Sequence, residues 1–301
     1  MDFVKMQGIG NDYVYVDAIG QKIDDPSALA IRVADRHFGI GGDGLILVAA
    51  PTDEGKKLGA SVRMRMFNAD GSESEMCGNG IRCVAKFAYD RGISRANPMK
   101  VETQRGVLTL DLWLERGKVA QVSVNMGTPI LQPADIPMLL TGIDQVVNHP
   151  WERVLDLRQL SPNSDWIAAS GLAGEFTCVS MGNPHIIFYC RNVHRIPLEA
   201  IGPKIETHPL FPKRINVHFV QVRKRAELIM RTWERGSGIT LACGTGASAV
   251  CVAGVLTNRS DRLVKISLPG GELGLKWNQA DGCVYMTGPS VEVFSGVWPD
   301  A

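Results

Sequence analysis

At 301 residues, 45% of them apolar and 21% charged, the chain is long enough for two domains and can bury a sizeable core, which excludes wholesale disorder. A net charge of +1 with no Lys/Arg stripe argues against nucleic acid as a partner, and no apolar stretch reaches the roughly 20 residues of a membrane-spanning helix. Seven cysteines, an odd number without Cys-x-x-Cys spacing, describe neither a disulfide framework nor a metal site, so no metal is expected.

The chain opens Met1-Asp2-Phe3-Val4-Lys5 in a strand-like pattern without a basic and then apolar leader, so a cytoplasmic protein is expected. From Phe3 to Asp17 it reads strand, turn, strand, the turn being Gly8-Ile9-Gly10-Asn11-Asp12. Pro26 to Asp35 has helical spacing, and Gly39-Ile40-Gly41-Gly42-Asp43-Gly44 is a glycine-rich turn feeding the strand Leu45 to Val48. Arg63 to Phe67 alternates as a strand, followed by the loop Asn68 to Glu75. Ile81, Val84, Ala85 and Ala88 then give a helix one apolar face, which sets Cys77-Gly78-Asn79-Gly80 at its N-terminus. Val107 to Leu114 and Val119 to Val124 form a hairpin.

A second half begins after Pro129. From about Ile130 to Asn163, Pro133, Pro137, Pro150 and Pro162 mark an irregular excursion expected on the surface, with little chemistry. The strands Phe176 to Ser180 and Ile186 to Tyr189 flank the turn Met181-Gly182-Asn183-Pro184-His185, and Asn216 to Val220 answers the Leu45 to Val48 strand. Arg223-Lys224-Arg225 reads as a solvated turn, and Ala247 to Leu256 as a buried core helix.

The two halves repeat each other. Laid without a gap so that Cys77 meets Cys243, the chain also matches Met64 with Met230, Arg65 with Arg231, Gly78 with Gly244, Gly80 with Gly246 and Val84 with Val250. Duplication therefore supplies two equivalent thiols, each at a helix start among glycines. The remaining cysteines, Cys83, Cys178, Cys190, Cys251 and Cys283, sit in strand-like or helical apolar surroundings and read as small buried hydrophobes.

A hydrogen on carbon alpha to a carboxylate is a very weak acid. Inverting that carbon needs a base on one face and an acid on the other, roles that a thiolate and a thiol can exchange. A helix N-terminus lowers a thiol pKa and binds an anion through its free N–H groups, and glycines let a carboxylate approach them. No phosphate loop, complete dinucleotide turn or pyridoxal lysine motif competes with this reading, so no cofactor is expected. His185 either tunes a nearby thiol or is an ordinary packed or solvent-facing histidine. Glu234 stands where the first copy has Asn68; it either binds a substrate group such as an ammonium or pairs with Arg231 or Arg235. Asn11, Asn68, Asn183 and Asn216 all sit at turns, and four at corresponding places of a duplicated frame suggest a polar ligand lining.

Several linked motifs carry a resemblance over nearly the whole chain. They are Lys5 to Tyr13, Arg36-His37-Phe38-Gly39-Ile40-Gly41, Phe67 to Glu73 with Cys77 to Cys83, Gly182-Asn183-Pro184-His185, Arg231 to Gly236 and Ala242 to Ala247. In these the sequence resembles the diaminopimelate epimerase family. The resemblance implies an α/β (α+β) fold of two pseudo-symmetric domains, each a β-sheet barrel wrapped around a central helix. One would span 1–126, joined by the final strand at about 288–301, and the other 127–287. It implies a cofactor-independent epimerase, a homodimer, that converts LL-2,6-diaminopimelate to the meso form for lysine and peptidoglycan synthesis. Cys77 and Cys243 would carry the protons, with His185 and Glu234 tuning them. Gly78, Asn79, Gly244 and Thr245 would hold the carboxylate at the reacting carbon, and Asn11, Asn68, Asn183, Asn216, Glu234 and Arg235 the rest of the substrate. Two residues depart from the family pattern: Gly44, where some members place a glutamine, leaves only backbone for a substrate contact, and Phe294 stands where some have a tyrosine at the dimer interface.

A proline or hydroxyproline racemase on the same two-cysteine frame is the rival enzyme. Asn68, Asn183, Asn216 and Arg235 favour a longer substrate with a second charged head. A binding protein without turnover is the rival of another class, and the retention of both thiols speaks against it.

Overall fold

The structure is a computed structural model and describes residues 1–161 and 164–299. Pro162 and Asn163, at the end of the excursion, and residues 300 and 301, the end of the segment expected as the final strand, lie outside that description. The chain divides into two compact units, Met1–Asn125 with the segment from Thr287 onward, and Met126–Met286.

In the first unit the elements are β1 (Asp2–Gly8), β2 (Asn11–Asp17), α1 (Pro26–Ala34), β3 (Gly44–Ala49), α2 (Asp53–Lys57), β4 (Val62–Asn68), β5 (Glu73–Ser74), α3 (Gly78–Asp90), β6 (Met99–Thr103), β7 (Gly106–Glu115) and β8 (Lys118–Asn125). β1 and β2 are antiparallel, β2 runs parallel to β3, and β3 is antiparallel to β4. The chain then crosses through α3 to β6, parallel to β4, and closes with the antiparallel run β6, β7, β8. A parallel pair needs such a crossover, and the helix is what fills it.

The second unit contains β9 (His149–Pro150), α4 (Asp165–Ser170), β10 (Glu175–Ser180), β11 (Pro184–Cys190), α5 (Leu198–Glu206), β12 (Asn216–Lys224), β13 (Glu227–Glu234), β14 (Gly238–Ile239), α6 (Gly244–Leu256), β15 (Leu263–Leu268) and β16 (Gly271–Trp277). Its pairings repeat the first: β10 antiparallel to β11, β11 parallel to β12, β12 antiparallel to β13, a crossover through α6 to the parallel β15, then β16. β17 (Val284–Pro289) carries the chain back to the first unit, where β18 (Val291–Val297) pairs antiparallel with β1.

Each crossover helix is the centre of its unit. α3 touches β1, β2, β3, β4, β6, β7 and β8, and α6 touches β10, β11, β12, β15 and β16. Burial follows: Ile81, Cys83, Val84, Ala85 and Ala88 of α3 and Ala247 through Ala253 of α6 are inaccessible to solvent. The helix α6 is apolar all round, as a helix enclosed by strands must be. Among the described residues no helix is long and apolar enough to cross a membrane.

The stretch from Ile130 onward corrects an expectation. It is irregular, with short 3₁₀ turns at Trp151–Arg153 and Leu157–Leu160, and much of it is exposed as expected, but it is not only a surface segment. Ile136, Val146, Trp151, Leu155 and Leu157 are buried in one core with Trp166, Phe176, Phe188 and Phe219. Prolines break regular structure without preventing the side chains between them from packing. Cys283 is a second correction: it is half-buried just before β17, where its amide bonds Asp281, not a core hydrophobe.

Candidate active site

In the first unit Cys77 is the N-cap of α3. Its backbone is extended, and its sulfur accepts the Gly80 N–H at 3.4 Å, one of the donors that a helix start leaves unsatisfied. The sulfur also donates to Asn11 Oδ1 at 3.2 Å. The Asn11 amide has no freedom to turn over, because its nitrogen donates to Asp43 at 2.7 Å and a carboxylate only accepts. Arg36 bridges Asp43 at 3.0 Å and Asp12 at 2.8 Å, and Lys5 pairs with Asp12 from the other side. Beneath the turn, buried Arg82 donates to the Gly78 carbonyl at 3.2 Å and to Asn79 Oδ1 at 3.0 Å, which holds the Gly78-Asn79 peptide in place.

The second unit places Cys243 as the N-cap of α6, with Ser248 donating to the Gly244 carbonyl at 3.0 Å in the place that Arg82 takes in the first. Cys243 is 3% exposed and lies 3.8 Å from the Thr245 hydroxyl. Asn183 occupies the position equivalent to Asn11, but its amide reaches Thr245 at 3.3 Å and His185 Nε2 at 3.0 Å instead of the sulfur. His185 Nδ1 meets His218 Nε2 at 2.9 Å, and His218 Nδ1 meets the Thr232 hydroxyl at 2.9 Å.

Charge states follow from this burial. Removal from water pushes the Cys243 thiol well up, and the negative charge of the Glu234 carboxylate adds to the rise; the Gly246 N–H and the Thr245 hydroxyl pull the other way. Burial, then His218 and Arg235, holds His185 well below the usual histidine range, and burial takes His218 down to about 3. Both imidazoles are neutral, each with one donor and one acceptor nitrogen. Among the described residues His185, His218 and Cys243 form a group with ligand atoms within 4.8 Å of one another, but the two histidines already spend facing nitrogens on each other.

The other residues singled out from the sequence fall as follows. Gly44 and Asn68 are cross-strand neighbours in β3 and β4, and Asn68 donates to Ser72 Oγ at 2.9 Å. Gly44 has φ +153°, and a Cβ there would stand 2.0 Å from the Phe67 carbonyl oxygen, so any contact from this position is by backbone. Glu234, half-buried, accepts from the Thr240 hydroxyl at 2.5 Å. The buried Asn216 amide is used at both ends, donating to the Pro184 carbonyl at 2.8 Å and accepting the Arg235 N–H at 2.9 Å. The Arg235 side chain is exposed and donates to the Lys213 carbonyl at 3.0 Å. Phe294 in β18 is 47% exposed and meets Phe3 edge-on at 6.0 Å.

Packing bears on both Gly80 and Gly246: a Cβ would stand 2.8 Å from the terminal methyl Cδ1 of Ile46, which can move aside, in one unit, and 2.4 Å from the His218 ring at Cε1, held by its hydrogen bonds, in the other. Arg82, His218, Thr232 and Ser248 were not singled out from the sequence. The only signal for the helix pair was their spacing of four residues from Gly78 and Gly244.

The family model described as diaminopimelate epimerase matches residues 3–132 and 177–293, leaving out most of the excursion. A diaminopimelate epimerase of Acetivibrio thermocellus is 50% identical over 296 residues, covering 98% of each chain. One of Methanococcus maripaludis is 49% identical over 98% of this chain and 99% of its own. Among solved structures, a Bacillus anthracis phenazine biosynthesis protein of the PhzF family shares the fold at a TM-score of 0.67 and 14% identity over 98% of both chains. A probable proline racemase of Agrobacterium radiobacter does so at 0.63 and 15% identity, over 99% of this chain and 92% of its own. With a repeated unit, a cysteine capping each central helix and half of its residues shared end to end with such relatives, the chain belongs to the diaminopimelate epimerase family.

Proposed function

We propose that this protein epimerises 2,6-diaminopimelate, converting the LL form to the meso form, and that Cys77 and Cys243 carry the protons. One sulfur, as thiolate, removes the hydrogen from the α-carbon. The electron pair left behind spreads into the adjacent carboxylate, and the other sulfur, as thiol, returns a proton to the opposite face. The two sulfurs finish with their states exchanged, so the same machinery runs in reverse from the meso form. No cofactor is needed in this reading, because the N-terminal N–H groups of α3 and α6 stabilise the negative charge that builds on the carboxylate.

The observation that carries the reading is that a cysteine caps the buried central helix at the equivalent position of both units. Gly78, Asn79, Gly244 and Thr245 stand at those helix starts and take the reacting carboxylate. Asn11, Asn68, Asn183, Asn216, Glu234, Arg235 and the Gly44 backbone take the rest of the substrate, and His185 and Glu234 tune the thiols. A homodimer is supported by the apolar exposure along β18, where Val291, Val293, Phe294 and Val297 face solvent. Seven cysteines, none of them in a disulfide, suit the reducing cytoplasm.

The test is incubation of the reduced protein with LL-diaminopimelate in heavy water, following stereochemistry and α-deuterium together. The expected result is meso product carrying solvent deuterium at the inverted carbon. Inversion without solvent label would sink the two-thiol mechanism, and no inversion at all would sink the activity.

A further inference from the structure

The second unit contains a continuous path of hydrogen bonds that the two-thiol reaction does not by itself require. It runs from Thr232 to His218, His185, Asn183 and Thr245, and ends on the Cys243 sulfur. Its direction follows from the sulfur end by counting hydrogens.

As a thiolate, the state in which Cys243 is ready to take a proton, the sulfur has no hydrogen and can only accept. In that state the hydroxyl of Thr245 must be the donor in its contact with the sulfur. Thr245 has then spent its only hydrogen, so the Asn183 nitrogen must donate to it, and the Asn183 oxygen faces His185. His185 Nε2 must therefore carry its ring's hydrogen. Being neutral, His185 accepts at Nδ1, which places a hydrogen on His218 Nε2 and leaves His218 Nδ1 to accept from the Thr232 hydroxyl.

We propose that His218 and Thr232 are positioning residues for Cys243, locking a one-way chain of hydrogen bonds, buried at the two histidines and part-buried at Asn183 and Thr245, that presents the Thr245 hydroxyl hydrogen to the sulfur when it is a thiolate. The inference rests on Cys243 being a proton carrier. Each link polarises the next, and all point toward the place where negative charge forms when Cys243 gives up its proton. The groups facing this sulfur are the Glu234 carboxylate, which opposes ionisation, the Gly246 N–H and Thr245 hydroxyl, which favour it, and the neutral His185 and His218; Arg235 acts on His185.

The duplicated frame supplies an internal control. The strand register places Ile46 and Met66 of the first unit as cross-strand partners where the second has His218 and Thr232. Ile46 lies under Gly80 as His218 lies under Gly246. The first unit thus has apolar side chains in the places from which the chain is anchored, and Asn11 contacts Cys77 directly. Two polar residues introduced together, buried at 0% and 3% exposure and bonded to each other, indicate a device particular to Cys243.

The test reads the Cys243 thiol directly, as its rate of alkylation by iodoacetamide against pH in the full-length protein carrying Cys77→Ser, with the modified peptide identified by mass. His218→Leu removes the donor to His185 and is expected to slow alkylation about tenfold at neutral pH by moving the profile upward. His218→Gln keeps an N–H where Nε2 stands and is expected to stay within about twofold of the parent. Thr232→Val, nearly isosteric and least disturbing to folding, is expected to shift the profile in the same direction by a smaller amount. With Cys77 intact, the His218→Leu and Thr232→Val proteins are expected to lose kcat with little change in KM. An unshifted profile in Thr232→Val overturns the proposal, as does equal loss in the Gln and Leu variants or a downward shift. A shifted profile in a protein that never epimerises supports the chain and overturns the catalytic reading instead, so the two failures are told apart.

Discussion

At the residue scale the site is two sulfurs with different surroundings. Cys77 donates to an asparagine whose orientation a carboxylate fixes, whereas Cys243 is enclosed and faces Glu234. Cys77→Ala or Cys243→Ala is expected to lower kcat for epimerisation by three orders of magnitude or more, as loss of a proton-transfer group does, measured by following the meso product (~10³-fold). Gly246→Ala is expected to disturb the site without touching a functional group. Its Cβ would meet His218 Cε1 at 2.4 Å and Cys243 Sγ at 2.9 Å, so a loss of roughly 1–3 kcal/mol in urea unfolding should accompany the loss of activity. The thiols and glycines were legible in the sequence because a cysteine before a glycine-rich helix start is a local pattern. His218 and Thr232 were not, since their meeting depends on the register of β12 against β13 and their use on His185 in a third strand.

At the scale of elements, the central helices were legible from apolar spacing, and the strands before them from alternation. The helix α5 was not, because Pro203 stands inside it. The excursion was misread for a related reason: prolines and irregular backbone look like surface, while burial is decided by what the neighbouring elements leave uncovered. Leu157 in that stretch is fully buried in the second unit's core. Leu157→Ala is therefore expected to cost about 2–5 kcal/mol in denaturant unfolding, where a surface position would cost less than about 0.5. A change within the smaller figure would restore the surface reading.

At the scale of the whole molecule, acid should act through both units. Burial alone would raise the Asp12 pKa, but the hydrogen bonds and charges of Arg36 and Lys5 outweigh it and leave it lowered. Its contribution to stability is then present above the ordinary aspartate pKa of 3.8 and is lost as pH falls through the lower folded value. His185 and His218 are also depressed, from 6.5, and the unfolded chain takes up protons there that the folded protein refuses. Stability is expected to fall as pH drops from about 6.5 toward 3, and His218→Gln should flatten that part of a urea-unfolding series while leaving the Asp12 limb. An unaltered slope would mean that His218 is charged in the folded state.

The sequence by itself determined that the chain is a duplicated α/β frame with a cysteine at each central helix start, because repeats, periodicity and helix-start chemistry are written in neighbouring residues. Only the tertiary structure decided what each sulfur faces. Whether the residue beneath a helix start is Ile46 or His218, and whether its cross-strand partner is Met66 or Thr232, becomes a chemical difference only when strand pairing brings side chains distant along the chain within hydrogen-bond reach.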